Sequence, residues 1–167
     1  GDILIGVHQT VLDLRRALGE APQSLSAVTP PNTKSLQAYQ VFAIGSAVDD
    51  PNEQHELLKR AVELDPDFVG AYSSLTTTCW TLGHCKEQRQ FAQEAHGRSS
   101  KLPERDRLLI DIDYLDATYD FDTEIDRLKQ YQHLYPNESL TGNYLASIYL
   151  AQEDLISAET YARAAYN

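Results

Sequence analysis

Five histidines, two cysteines and a scatter of aspartates are the side chains from which this chain would have to build a metal site, a nucleophile or an acid–base pair. His8, His55, His84, His96 and His133 fall in different elements without the spacing of a ligand set, so each is expected at the surface or at a helix end. Cys79 and Cys85 stand six apart, which is not the C-x-x-C of a zinc or redox site, and two cysteines are too few for a disulfide framework. Cys79 falls at a small helix-contact position and is expected as a core thiol. Asp111 and Asp113 are two apart, and on a helix such residues point to different sides, so they do not share an ion. Asp120-Phe121-Asp122-Thr123-Glu124 opens like a calcium-binding loop but lacks the glycine and the closing glutamate at the required spacing. A solvated turn with Asp122 or Thr123 as N-cap is expected there instead. With no nucleophile beside a base and no phosphate loop, the expectation is a protein that is not an enzyme and holds no cofactor or metal.

The elements that position these residues are helical. Ala61 and Ala95 stand 34 residues apart, and an offset of 70 maps Phe42 onto Ile112, Leu58 onto Leu128, Pro66 onto Pro136, Leu75 onto Leu145, Ala92 onto Ala162 and Ala95 onto Ala165. That recurrence is the signature of a stacked helical repeat, in which one unit cannot bury its own apolar face. The two residues beyond two periods fall around Leu102 to Glu104. Ahead of the repeats, Ile3 to Leu18 reads as an amphipathic helix with Leu4, Val7, Val11, Leu14 and Leu18 on one stripe, ended by Gly19. Residues 20–34 form a linker broken by Pro22, Pro30 and Pro31 and packed in part through Leu25 and Val28.

Four units follow, at 35–68, 69–102, 105–138 and 139–167, the last a few residues short. In the first, helices are expected from Leu36 to Ala47 and from Glu53 to Leu64, with Asp65-Pro66-Asp67 as the break. Leu82-Gly83 is the turn of the second, and Tyr135-Pro136 ends the third. A formal charge of -11 argues against nucleic acid, because no basic stripe displaces counterions from phosphates. No apolar run approaches the roughly 18 residues needed to cross a bilayer. The absence of methionine leads us to expect a segment of something longer, whose neighbours hold any activity. The compartment stays open: the cytoplasm, or outside it if a membrane span precedes the segment in its parent.

Within these units the residues resemble the tetratricopeptide repeat family, a 34-residue helix-turn-helix. Leu145, Ala146, Tyr149, Ala158, Ala162 and Ala165 fill its pattern in the fourth unit; Val41, Leu58, Ala61 and Pro66 do so in the first, Tyr72, Leu75, Ala92 and Ala95 in the second, and Leu108, Ile112, Leu128 and Pro136 in the third. Gln54, Gln88 and Glu124 stand where the family prefers a small alanine, and Asp111 where it prefers leucine, so those contacts are expected to be looser. The resemblance implies an all-α fold, a right-handed α-α superhelix of about four such pairs plus the N-terminal helix. A narrower likeness, carried by 14–20, Ser24-Leu25, 33–39, 61–68 and the Pro103-Glu104-Arg105-Asp106-Arg107-Leu108-Leu109-Ile110 stretch, is to the repeat-bearing C-terminal region of large bacterial signalling proteins. Serine/threonine kinases of acidobacterial type and some winged-helix regulators carry this order. No kinase motif is present.

What the family likeness implies for function is protein–protein interaction or scaffolding. The first helix of each unit then lines a concave groove, to which Tyr39 and Ser46, Ser73, Thr77 and Trp80, Asp113 and Asp116, and Asn143, Ser147 and Leu150 would contribute. Trp80 is the sharpest anchor, and Asp113 with Asp116 forms an acidic patch suited to Lys or Arg of a protein or peptide partner. Asn143 matches a position that hydrogen-bonds peptide backbone in the family, while the basic clamp for a C-terminal carboxylate is missing, which disfavours chaperone tails. The alternative is a spacer or homo-oligomer, with the groove filled by the N-terminal helix, the linker or another copy. In that case Tyr149, Ala162 and Ala165 are the surface left without a following unit.

Overall fold

The structure, a computed structural model, describes residues 2–19, 32–136 and 140–165. Every regular element among them is helical. The chain divides into two compact units, Gly1–Arg98 and Ser99–Asn167. The first holds α1 (Asp2–Ala17), α2 (Leu36–Ser46), α3 (Pro51–Leu64), α4 (Val69–Leu82) and α5 (Cys85–Arg98). The second opens with a single 3-10 turn, Ser99–Lys101, and continues as α6 (Glu104–Thr118), α7 (Phe121–Leu134), α8 (Leu140–Ala151) and α9 (Leu155–Ala165). No helix among the described residues is long and apolar enough to cross a membrane.

Local chemistry sets the helix ends. Ser35 caps α2 by accepting from the Ala38 N–H at 3.1 Å. Asp50 caps α3 by accepting from Asn52 and Glu53 N–H at 2.8 and 3.2 Å, and Pro51 takes the first helical position, where its missing N–H is not needed. The helix therefore starts two residues earlier than Glu53. Gly83 adopts the left-handed conformation at φ 72°, letting His84 N–H return to Cys79 O at 2.8 Å and close α4. The N-cap of α7 is Asp120, whose side chain accepts from Thr123 N–H, rather than Asp122 or Thr123. Tyr119 takes the left-handed cap of α6 at φ 62° and brings the turn forward, which puts the cap at Asp120.

Sequential helices pack on one another: α2 on α3, α3 on α4 and α4 on α5 in the first unit, then α6 on α7, α7 on α8 and α8 on α9 in the second. The repeat is visible in burial. Leu58 and Leu128 are fully buried, as are Leu75 and Leu145, each pair 70 residues apart. Ala38, Ala61, Phe68 and Ala71 form one cluster, and Leu108, Ile112, Ile125, Leu128, Tyr131, Leu145 and Ile148 form another. This is a helical repeat-like all-α architecture. Gln54, Gln88 and Glu124 do not stand off from it: Gln54 Oε1 accepts from Thr78 Oγ1 at 3.0 Å, while Gln88 and Glu124 are buried. In α1, Leu4 is buried, but Val7, Val11, Leu14 and Leu18 of the expected stripe are exposed.

Linker residues 20–31, with Leu25 and Val28, lie outside the described residues, as do the start of the fourth unit at Ser139 and residue Tyr166. The described end of the linker is pinned to the α3–α4 turn. Asn32 Oδ1 accepts from Gly70 N–H at 3.0 Å, and Thr33 Oγ1 donates to the Asp65 carboxylate.

Gly142 lets α8 approach α9. A Cβ there would lie 2.8 Å from Ala165 Cβ and 3.2 Å from both Ala165 Cα and Tyr161 O, whereas a Cβ at Gly97 in α5 would meet nothing. Gly142→Ala is therefore expected to lower stability by roughly 1–3 kcal/mol through overpacking. Gly97→Ala is expected to raise it by up to about 1 kcal/mol through helix propensity. Thermal melts of the two variants should move in opposite directions, and a stabilised Gly142→Ala would disprove the close approach.

Candidate interaction faces and a side-chain cluster

In the first unit the expected groove residues separate into two kinds. Tyr39 on α2 is half-buried against the Ala38 cluster, its ring stacked on Phe42 at 6.4 Å. It is thus partly a core residue. On α4, Ser73, Thr77 and Trp80 follow one another at four- and three-residue steps and so share a face. Ser73 is half-buried, Thr77 is exposed, and Trp80 is 68 % exposed. A tryptophan so exposed leaves most of its apolar ring in water.

The second unit concentrates acid. Asp113 and Asp116 on α6 are half-buried, so they are not fully hydrated surface groups. Behind them Glu124 on α7 is 0 % exposed, and neither of its carboxyl oxygens has a hydrogen-bond partner. Burial first, and then the charges of Asp116 and Asp113, push the Glu124 carboxyl up to about 8. Burial also raises Asp116 above the usual aspartate value. Tyr144 on α8 is raised too, by burial and then by Asp113, Asp116 and Glu124, which places its phenol within the field of all three acids. Beside it, Asn143 and Ser147 are exposed.

The hydroxyls on these faces share one property. Thr77 Oγ1 donates to Ser73 O at 3.4 Å, Ser147 Oγ to Asn143 O at 3.0 Å and Ser46 Oγ to Phe42 O at 2.9 Å. Each hydroxyl has one proton to give, and the backbone of its own helix takes it. What remains outward is acceptor capacity, suited to N–H donors.

A further cluster, within the first unit, departs from the sequence reading. His55 on α3 is only 5 % exposed, so it is neither a surface nor a helix-end residue. Its Nδ1 lies 3.8 Å from the buried Cys79 Sγ, and its Nε2 lies 3.2 Å from Glu87 Oε2. The His84 ring meets the His55 ring edge-on, with centroids 6.0 Å apart. One donor atom from each of His55, Cys79, His84 and Glu87 falls within 4.8 Å of the others. Cys79 is buried as expected, and its thiol is pushed up to about 11 by burial and then by the Glu87 charge. The sequence spacings of 24, 5 and 3 residues carry no ligand signature, because the set is assembled by three helices rather than by one motif.

No protein-family model matches the chain, and no curated protein matches it.

Proposed function

We propose that this chain is a non-catalytic interaction module, a right-handed superhelix of tetratricopeptide-like pairs within a larger bacterial signalling protein, which binds a polypeptide through basic side chains. The observation that carries this reading is the half-buried acidic pair Asp113 and Asp116, three apart on α6, with the buried Glu124 behind it. Partial burial costs the two aspartates part of their hydration, and a Lys or Arg set over the pair would offset that cost by charge-assisted contacts. The acceptor-only hydroxyl of Ser147 and the exposed amide of Asn143 extend the same preference for donors along α8. Trp80 supplies an aromatic contact on the α4 face.

The test is titration of an extended Lys/Arg-bearing peptide against an acidic peptide of equal length. Asp113→Asn with Asp116→Asn is expected to weaken the basic peptide by about 1–2 kcal/mol, roughly fivefold to thirtyfold, with affinity falling as salt rises. Trp80→Ala, followed separately, reports whether the α4 face takes part. Equal affinity for both peptides, or a double variant that binds as well as the parent, removes the acidic face from the function.

One observation favours a second reading, self-association. Around the α8–α9 turn, Leu150, Leu155 and Ile156 are exposed, whereas Tyr149, Ala162 and Ala165 are half-buried, with Tyr149 stacked on Tyr161 at 5.4 Å. The apolar end thus sits on different residues than the repeat pattern predicts. Light scattering that shows a dimer, lost in Leu155→Ser with Ile156→Ser, would select this reading.

A further inference from the structure

Three helices of the first unit bring a mixed sulfur, nitrogen and oxygen donor set to one point, and nothing in the interaction reading uses it. His55 comes from the first half of α3, Cys79 from the last turn of α4, His84 from the turn before α5, and Glu87 from the first turn of α5. The left-handed Gly83 folds the chain back so that His84 N–H bonds Cys79 O, which sets the histidine beside the cysteine it follows by five residues. We propose that His55, Cys79, His84 and Glu87 bind one divalent transition-metal ion of the zinc type.

Donor chemistry selects the class of ion. A thiolate and two imidazoles suit zinc and its tetrahedral relatives, whereas calcium and magnesium take oxygen shells. Geometry agrees in scale. Bonds of about 2.0–2.3 Å to a tetrahedral ion put donor atoms roughly 3.5 Å apart, and one donor atom from each of the four side chains already falls within 4.8 Å of the others. An imidazole gives one nitrogen to an ion, so only one of the two His55 contacts lies within the donor set as it stands, and the half-exposed Glu87 side chain turns to complete it. Two of the four donors are buried and held by packing; His84 is exposed and the Glu87 side chain is 47 % exposed, so these two can close onto an ion entering from solvent. On binding, the Cys79 S–H bond is replaced by an S–metal bond and the proton leaves to solvent, with no change in oxidation state. Such an ion ties α3, α4 and α5 together. The competing account is that the His55–Glu87 pair and the Cys79–His55 contact hold the cluster as a polar network only.

Cobalt(II) distinguishes the two. Titrated into the metal-free chain, it is expected to develop the intense visible bands of a tetrahedral ion and a near-ultraviolet thiolate-to-cobalt band at one equivalent, and zinc(II) should displace it and raise Tm. Cys79→Ser is expected to lose the thiolate band, while Cys85→Ser keeps it. His84→Ala, at an exposed position, should weaken zinc by more than about a hundredfold, beyond what losing an outer partner alone does. Should Cys79→Ser fail to fold, the Cys85→Ser and His84→Ala variants decide. Cobalt that keeps the pale spectrum of the hydrated ion, a thiolate band lost in Cys85→Ser, or zinc affinity unmoved by His84→Ala overturns the site.

Discussion

From about pH 4.5 to about pH 8 the protein is expected to lose stability steadily, and Glu124→Gln is expected to abolish most of that loss. The two ends of the window are the ordinary glutamate value of 4.5 and the value of about 8 to which burial and the Asp116 and Asp113 charges push Glu124. In the unfolded chain the carboxyl ionises at the lower value; in the fold it keeps its proton up to the higher one. Between them unfolding releases a proton, so raising the pH favours the unfolded chain. The contribution is complete below the lower value, declines through the window, and is gone once pH passes the upper one. At about 1.4 kcal/mol per pH unit the total is on the order of 3–5 kcal/mol. Asp116, also raised by burial, adds in the same direction.

The acid side runs oppositely. Asp50 is held below the usual aspartate value by the N–H groups of Glu53 and Asn52, and Asp154 by Ser157, so both caps weaken only as pH falls through the depressed values. Denaturant melts across pH provide the check. Parallel curves for the parent and Glu124→Gln would show that the buried carboxyl is not the titrating group.

Tyr131→Ala is expected to remove roughly 3–5 kcal/mol, the range for truncating a large buried aromatic. Tyr131 is the largest of the fully buried side chains among the described residues and belongs to the Leu108–Ile148 cluster, with its ring 4.8 Å from Tyr135. Against a typical total stability of about 5–15 kcal/mol, such a loss is a large share. Leu134→Ala, at an exposed site on the same helix, should stay within about 0.5 kcal/mol. Circular dichroism during urea unfolding reads both. A Tyr131→Ala midpoint no lower than that of Leu134→Ala would mean that the cluster is not the core of this unit.

Much of the architecture was legible in the residues themselves. Leu58 and Leu128, and Leu75 and Leu145, announce buried helix positions by their offset, and Gly83 and Pro66 announce helix ends through backbone sterics that need no neighbour. Tyr119 takes a left-handed cap without a glycine to mark it, so the residues alone point to an α7 cap at Asp122 or Thr123 whereas the structure has it at Asp120. Of the site residues, the shared face of Ser73, Thr77 and Trp80 on α4 follows from helical periodicity, whereas an outward Trp80 is only what the family likeness implies, and the partial burial of Tyr39 in an aromatic stack follows from neither.

Glu124 and His55 mark the division most clearly. The sequence by itself determined that the chain is helical and which apolar residues of the repeats face inward, since these depend on propensity and a period carried by adjacent residues, but not that Val7, Val11 and Leu14 of α1 are exposed. Only the tertiary structure decided that a glutamate at a small-residue position has its carboxyl buried without a partner, and that a histidine, a cysteine, a second histidine and a glutamate from three helices converge within 4.8 Å. Desolvation and donor geometry are properties of what surrounds a side chain, and those surroundings are supplied by helices distant in sequence.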